Sequence, residues 1–315
     1  MIVLLIKMKS AKIDSTYKSI GGPTYLGGRR QLSKVCGISE SKALTYLRTQ
    51  DSYTRHKARR TTFRRRRVIT PGLNYLWQAD IVFLPKYSKE NDGFSCLLTA
   101  IDVLSKFAFA IPMKSKSSAA CIKAFTAILI SAKCRPVTLE CDQGTEFWSK
   151  AFVKWTKAQG IRMYHNYSDF GSSVVERFNR SICTIISKHL TATGQKRYIE
   201  ALPLLLKSYN QRIHSRTKCA PKDVNEYNEM DVWLESYKDL YSKPNPQPKF
   251  NMYDRVRLDK TKHIFGKGYW PTFTNEMFEI CEVINSIPVT YRVKDMKGEV
   301  ISGIYYSQDL SKVNV

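Results

Sequence analysis

Apolar positions dominate two runs in the first half of the chain, 75–85 (YLWQADIVFLP) and 96–113 (CLLTAIDVLSKFAFAIPM). Both are rich in β-branched and aromatic residues, and the turn-like polar stretch SKENDG separates them. This pattern predicts neighbouring strands in a three-stranded meander. Further on, the periodicity alternates. Residues 117–133 (SSAACIKAFTAILISAK) read as a helix, 137–142 (VTLECD) as a short buried strand, 149–160 (SKAFVKWTKAQG) as a helix closed by Gly160, and 161–165 (IRMYH) as another strand. The order βββαβαβ predicts an α/β architecture. A polar loop, 166–173 (NYSDFGSS), leads into two amphipathic helices, 174–190 (VVERFNRSICTIISKHL) and 198–214 (YIEALPLLLKSYNQRIH), the second interrupted near its start by Pro203. These finish the domain by about residue 230.

The two ends of the chain follow other patterns. Residues 29–49 (RRQLSKVCGISESKALTYLRT) offer two short helical stretches around a Cys36-Gly37-Ile38-Ser39 break, with Ser39 as N-cap and Leu44 and Leu47 on one face. This is helix-turn-helix-like, a pattern shared by any small helical hairpin. The stretch 242–249 (SKPNPQPK) has three Pro in eight residues and reads as a stiff linker. Beyond it YDRVRL, FEICEVIN, TYRVKD and GEVISGIYY, with a turn at Asp295-Met296-Lys297-Gly298, predict a small all-β unit. The expected domains are a helical, helix-turn-helix-like region at 1–54, a basic arm at 55–69 and a catalytic core at 70–230. A helix and Pro-rich linker at 231–249 and a small β-barrel at 250–315 complete them.

Charge changes this picture. The 315 residues carry 51 Lys and Arg against 27 Asp and Glu, a formal net charge of +24, which makes a polyanion the expected partner, nucleic acid ahead of an anionic membrane. Residues 1–70 hold 17 of the basic residues and only 3 acidic ones, so more than half of the excess lies in under a quarter of the chain. Apolar MIVLLI breaks at Lys7, far short of the ~20 residues a bilayer span needs, and no signal-peptide cleavage pattern follows, so no membrane partner is expected. The eight Cys contain no C-x-x-C pair, which reads as a reduced compartment, and Cys36 and His56 alone before residue 80 make no zinc finger.

The segment RHKARRTTFRRRR, 55–67, has no acidic residue. Its Arg55, Lys57, Arg59, Arg60, Arg64, Arg65, Arg66 and Arg67 read as a phosphate-tracking arm, and the same composition suits a nuclear import signal.

Three carboxylates stand in unusual settings: Asp80 inside a strand (WQADIVF), Asp142 at the end of one (LECDQGTEF) and Glu176 in the first turn of a helix (SVVERFNR). A carboxylate in an apolar strand is unfavourable unless paired, hydrogen-bonded or coordinated to a cation, so three such sites point to a shared metal. Oxygen ligands suit Mg²⁺ or Mn²⁺, and two ions ~3.5–4 Å apart activate an attacking oxygen and stabilise the leaving one in phosphoryl displacement. The bland alternative for Glu176 is an i,i+4 ion pair with Arg180, worth a few tenths of a kcal/mol. Gln143, Asn179 and Arg180 fall near the acidic centre and are candidate DNA contacts, solvated helix surface being the competing reading. Asp102 and Glu146 are set aside, Asp102 as a brace of the hairpin and Glu146 as a residue following a turn. His165 and His214 read as structural histidines, and Tyr164 and Tyr167 lack the Arg and His partners that a covalent tyrosine nucleophile needs.

The triplet Asp80, Asp142, Glu176, in the contexts WQAD, CDQGTEF and VVERFNR, resembles the D,D-x-E core of retroviral-type integrases, and most closely those of self-synthesising DNA transposons of the Maverick/Polinton kind. Residues 75–117 resemble that family's first three strands, YNQRIHSRTKCAP (209–221) the stretch closing its catalytic domain, and YDRVRL with KGYWP its tail domain. The sequence departs from the retroviral pattern in three ways. Only 33 residues separate Asp142 from Glu176, Gln143 stands where many relatives have Asn, and the upstream His/Cys zinc module is absent.

The resemblance implies an RNase H-like mixed sheet flanked by helices, with a small helical N-terminal region and a small all-β SH3-like or chromo-like C-terminal domain. It implies Asp80, Asp142 and Glu176 as catalytic metal ligands for two Mg²⁺ or Mn²⁺ ions, trimming of element ends, and joining of a 3′-hydroxyl to target DNA. The implied partners are element-end and target DNA together with further copies of the chain, and the implied location is the nucleus. Two other classes stay open: a domesticated, inactive DNA-binding protein, and a plain RNase H-type nuclease.

Overall fold

The computed structural model describes residues 11–58, 62–142, 144–165, 172–242, 247–260 and 271–314. It divides into two compact units, one formed by Arg67–Lys243 and the other by Met1–Arg66 together with Pro244–Val315.

In the central unit the βββαβαβ order is realised. Strands β1 (Leu76–Phe83), β2 (Cys96–Asp102), β3 (Ala108–Met113), β4 (Thr138–Cys141) and β5 (Arg162–His165) form one mixed sheet of order β3-β2-β1-β4-β5. The first three are antiparallel neighbours, and β4 pairs parallel with both β1 and β5. This is the RNase H-like arrangement that the resemblance implied. The connection that holds SKENDG folds as two 3-10 turns, Pro85–Tyr87 and Lys89–Asn91.

Helices cover both faces of the sheet. Helices α5 (Ser118–Ala132) and α6 (Lys150–Ala158) start at N-caps Ser117 and Ser149, whose side chains accept from Ala120 N–H and Phe152 N–H. They pack on the face made by Trp77, Ala79 and Ile81 of β1, Leu98 and Ala100 of β2 and Leu139 and Cys141 of β4. The opposite face receives α7 (Ser173–Thr193) and α8 (Leu202–Gln211). In α7 the buried Val175, Phe178, Ile182, Ile186 and Leu190 recur at helical spacing. Helix α8 begins at Leu202, so Pro203 opens it rather than interrupting it. Proline's fixed φ and missing N–H suit a first turn, whose amides have no intrahelical acceptor. Asn210 of α8 ties the helix to β3, donating to Ala108 C=O and accepting from Ala108 N–H, both at 2.9 Å.

The central unit runs past the boundary read at residue 230. Helix α9 (Glu229–Tyr241) buries Val232 and Tyr237 against Leu104, and its Glu229 accepts from Leu73 N–H at 2.9 Å. Asp102 braces the hairpin as expected, accepting from Ser105 N–H and Oγ and from Asn74 N–H.

In the other unit the chain's two ends fold together. A helical stretch over 11–18, here α1, joins α2 (Arg29–Cys36) and α3 (Glu40–Leu47) around buried Tyr17, Leu32, Ala43 and Leu47. Gly37 ends α2 at φ +60°, in the left-handed region that glycine favours, and Ser39 caps α3 through Lys42 N–H. Strands β6 (Arg255–Leu258), β7 (Phe278–Ile284), β8 (Thr290–Asp295), β9 (Tyr305–Tyr306) and β10 (Leu310–Val313) form a sheet of order β10-β6-β7-β8-β9. Of GEVISGIYY only Tyr305–Tyr306 is strand, because Gly303 (φ +110°) and the bends before it break the ladder. Buried Arg257 of β6 reaches Asp51 at 2.5 Å and Thr54 Oγ1 at 3.2 Å, both on α4 (Asp51–Arg55), so the N-terminal helices and C-terminal sheet share one unit.

Candidate active site

A row of polar side chains crosses the α7-facing side of the central sheet. Register places Gln78 of β1 opposite Glu140 of β4, and Glu140 opposite Tyr164 of β5. Gln78 and Glu140 are buried. The Gln78 Nε2 donates to Glu140 Oε2 at 2.9 Å, the Tyr164 hydroxyl donates to the same oxygen at 3.0 Å, and the Ser172 hydroxyl donates to Oε1 at 3.1 Å. Burial, with Glu140 beside it, pushes the Tyr164 phenol up.

One step further along both strands stand Asp80 and Asp142, two residues after Gln78 and Glu140 respectively. Asp80 is half-buried, accepting from Ile81 N–H at 2.7 Å through Oδ1 and from Asn179 Nδ2 at 2.8 Å through Oδ2. Burial raises its pKa, and the charges of Asp142 and Glu176 raise it further, against the hydrogen bonds from Ile81 and Asn179. The three predicted carboxylates therefore share one electrostatic neighbourhood. Among the described residues, however, no three Asp, Glu, His or Cys side chains form a ready-made metal cage. Asp142 Oδ1 accepts from Gly144 N–H at 3.1 Å, and a Cβ on Gly144 would stand 3.0 Å from that oxygen and 2.8 Å from the Glu146 carboxyl carbon, so a larger residue there would displace the Glu146 carboxylate. The Trp148 indole donates to Asp142 C=O at 2.7 Å, fixing the backbone after β4.

Asn179 lies one helical turn beyond Glu176, and its Oδ1 is buried without a hydrogen-bond partner. A hard-cation site fits this setting: the nearby charges are carboxylates, and a spare amide oxygen adjoins them. Arg180 is exposed on α7. With Arg177, Lys188, His189, Arg212 and His214 it lines an open groove between α7 and α8. Burial lowers the His214 pKa to about 4, with Lys106, Arg177 and Arg216 adding to the effect.

The basic segment is engaged by the fold. Arg55 C=O accepts from Thr272 and Phe273 N–H, Lys57 Nζ donates to Leu310 C=O at 3.2 Å, and the Arg66 amide donates to the Tyr306 hydroxyl at 3.1 Å. The Arg65 guanidinium lies 4.7 Å from the Phe63 ring centre. Arg64 is also engaged in an interaction. Arg67 forms a 2.5 Å ion pair with Asp239 of α9, which Arg216 also reaches. Arg59, Arg60 and Gln143 lie outside the described residues. Sequence reasoning missed Gln78 and Glu140. The available signal was their repetition two residues before an acid, as Q-x-D and E-x-D.

Sheet order and local chemistry are similar to those of integrase core domains from retroviral and transposon-derived proteins. Residues 71–168 match the family model described as the integrase core domain, a span that includes Asp80 and Asp142 and ends before Glu176. The chain is 26% identical over 199 residues to a putative uncharacterized transposon-derived protein of Caenorhabditis elegans, covering 62% of this chain and 65% of that protein. It is 27% identical over 140 residues to the Gag-Pro-Pol polyprotein of bovine leukemia virus, covering 44% of this chain and 10% of the polyprotein. The matched part is thus less than two thirds of either relative's length. A chain of the simian T-cell lymphotropic virus intasome in complex with PP2A regulatory subunit B56 gamma has a TM-score of 0.62 at 17% identity, over 91% of this chain and 95% of that one. At that identity the likeness establishes a shared fold.

Proposed function

We propose that the chain is a metal-dependent polynucleotidyl transferase of a mobile element, of the Maverick/Polinton kind, that trims element DNA ends and joins their 3′-hydroxyls to target DNA. The observation that carries this reading is geometric: Asp80 follows Ala79, which pairs in parallel register with Cys141 just before Asp142, and Asp80 accepts from Asn179, one turn beyond Glu176 on α7. Structural carboxylates are ordinarily paired with cations, whereas like charges held together are a mark of a functional site. Asp80, Asp142 and Glu176 would hold Mg²⁺ or Mn²⁺. Two such ions, when bound, supply activation of the attacking oxygen and stabilisation of the leaving oxygen.

The remaining work falls to the chain's own residues. Asn179 orients Asp80 by donating to Oδ2 and keeps its own Oδ1 for a ligand. Gly144 lets the backbone approach Asp142, and Trp148 fixes that backbone. Arg180 and the groove between α7 and α8 present cations to DNA phosphates, as do exposed Lys57, Arg64 and Arg66, and the neutral Gln143 amide, next in sequence to Asp142, offers hydrogen bonds to the DNA. Paired insertion needs two coordinated strand transfers, so the chain acts as a homo-oligomer on two DNA ends, in the nucleus. Among the described residues no helix is long and apolar enough to cross a membrane.

A strand-joining assay with matched element-end DNA and Mg²⁺ tests this reading. Wild type should join strands, and Glu176→Gln should lose the activity by orders of magnitude while keeping its fold and DNA affinity. Retained joining in folded Glu176→Gln would remove Glu176 from the site. A folded wild type that binds DNA and joins nothing would favour the inactive DNA-binding class, and cleavage without joining would favour the nuclease.

A further inference from the structure

We propose that the buried Gln78–Glu140 pair is the positioning element that sets the start of α7, and through it the placement of Glu176 relative to Asp80 and Asp142. The inference rests on the integrase reading for its catalytic meaning, while the anchoring of the helix stands on hydrogen bonds alone.

The first amides of a helix have no intrahelical acceptor, and a side chain at the N-cap ordinarily takes them. At α7 the N-cap residue Ser172 does not, and its hydroxyl is directed at Glu140 Oε1, to which it donates. The amides of Val174 and Val175 are received from across the interface by Gln78 Oε1, at 2.9 and 3.1 Å. The helix thus takes its cap from strand β1. An amide side chain has two chemically different ends of nearly equal size, and Glu140 fixes which end faces the helix. It accepts from Gln78 Nε2, leaving Oε1 directed at the α7 amides. Three donors, from Gln78, Tyr164 and Ser172, converge on the Glu140 carboxylate, so its orientation is set from three directions.

The arrangement links all three candidate ligands. Gln78 shares β1 with Asp80, Glu140 lies two residues before Asp142, and the anchored Val175 immediately precedes Glu176. A shift in this pair moves the carriers of all three carboxylates relative to one another. Groups that orient metal ligands from behind typically change metal affinity about 10- to 100-fold when altered.

The polarity of the pair supplies its own test. Gln78→Glu sets two carboxylates against each other. In the exchange variant Gln78→Glu/Glu140→Gln, the carboxylate placed on β1 accepts from both α7 amides and from the side-chain amide placed on β4, whose oxygen still accepts a hydroxyl. Three readouts are compared in the full chain: hydrogen exchange of peptides covering 172–178, calorimetric binding of Mn²⁺ alone, and strand joining. Gln78→Ala and Gln78→Glu should speed exchange in the first turn of α7 and weaken Mn²⁺ binding about tenfold or more. The exchange variant should restore both. If Gln78→Glu does not fold, Gln78→Ala and the exchange variant still make the comparison. Asn210→Ala, which removes a buried tie between α8 and β3, is the control for destabilisation alone and should leave Mn²⁺ affinity unchanged.

Unchanged first-turn exchange in Gln78→Ala would overturn the proposal. So would an exchange variant that restores nothing, or a loss of Mn²⁺ binding no greater than in Asn210→Ala. A wild type that neither binds Mn²⁺ nor joins strands would overturn the integrase reading, and hydrogen exchange would then decide the helix anchor by itself.

Discussion

Strand β1 presents Trp77, Ala79 and Ile81 to one side of the central sheet and Gln78 and Asp80 to the other. The first side is sealed by α5 and α6 with apolar side chains throughout, including Phe125 against Phe152 and Trp155. On the second, apolar packing from α7 and α8 gives way over β1 and β4 to Gln78, Glu140 and the carboxylates. A single strand alternation therefore separates two tasks: one side contributes cohesion, while the other holds like charges close at some expense of stability.

The largest expected effect tests the cohesive side. Phe125→Ala should lower unfolding free energy by about 3–5 kcal/mol, measured by urea denaturation, because it empties a fully buried aromatic site. A loss under about 1 kcal/mol would show that this face is loosely packed.

Acid sensitivity sharpens the other side. His214 has its folded-state pKa lowered to about 4 from 6.5, so its contribution is fully present above pH 6.5 and disappears as pH falls from there toward 4. The difference in unfolding free energy between wild type and His214→Asn, measured by urea denaturation, should change across that window by about 1–2 kcal/mol, the displacement being discounted for solvent screening. A flat difference would place His214 in water.

A third test inverts the usual direction of a mutation. The Asp80 pKa is raised, so wild-type stability falls as pH climbs through that pKa. At neutral pH, Asp80→Asn should raise the melting temperature and abolish strand joining. Asn179 can turn its amide so that its unpartnered Oδ1 accepts from the new side chain. A lower melting temperature would mean that Asp80 is a structural residue.

The smallest effect concerns DNA. Arg180→Ala should reduce the slope of log affinity against log salt by about one, whereas Arg67→Ala, whose guanidinium is committed to Asp239, should leave the slope unchanged. Equal slopes for both variants would detach the α7 surface from phosphate binding.

Much of this comparison was legible in the sequence. Local periodicity located the strands and helices, and Asp80, Asp142 and Glu176 stood out because acids are rare in such apolar settings. Gln78 and Glu140 did not, since a lone polar residue in a strand is commonplace. Their meaning comes from the parallel pairing of β1 with β4, a contact between residues 62 positions apart. The same limit hid the ion pair of Arg257 with Asp51, 206 positions away. It also hid the pairing of Arg67, read as a DNA contact, with Asp239 inside the fold. Helix α9 was read with the linker because its apolar stripe is narrow, and only its packing on Leu104 shows where it belongs.

Cys141 sits between Glu140 and Asp142 with its side chain turned to the apolar side, fully buried. Burial, reinforced by the flanking carboxylates, holds its thiol far above the ordinary range, so a thiolate-seeking reagent finds nothing to attack while β4 is in place. The chain thus carries its own timer at the centre of the site. The rate at which an alkylating agent marks Cys141, read peptide by peptide in a mass spectrometer, counts how often that strand leaves the sheet.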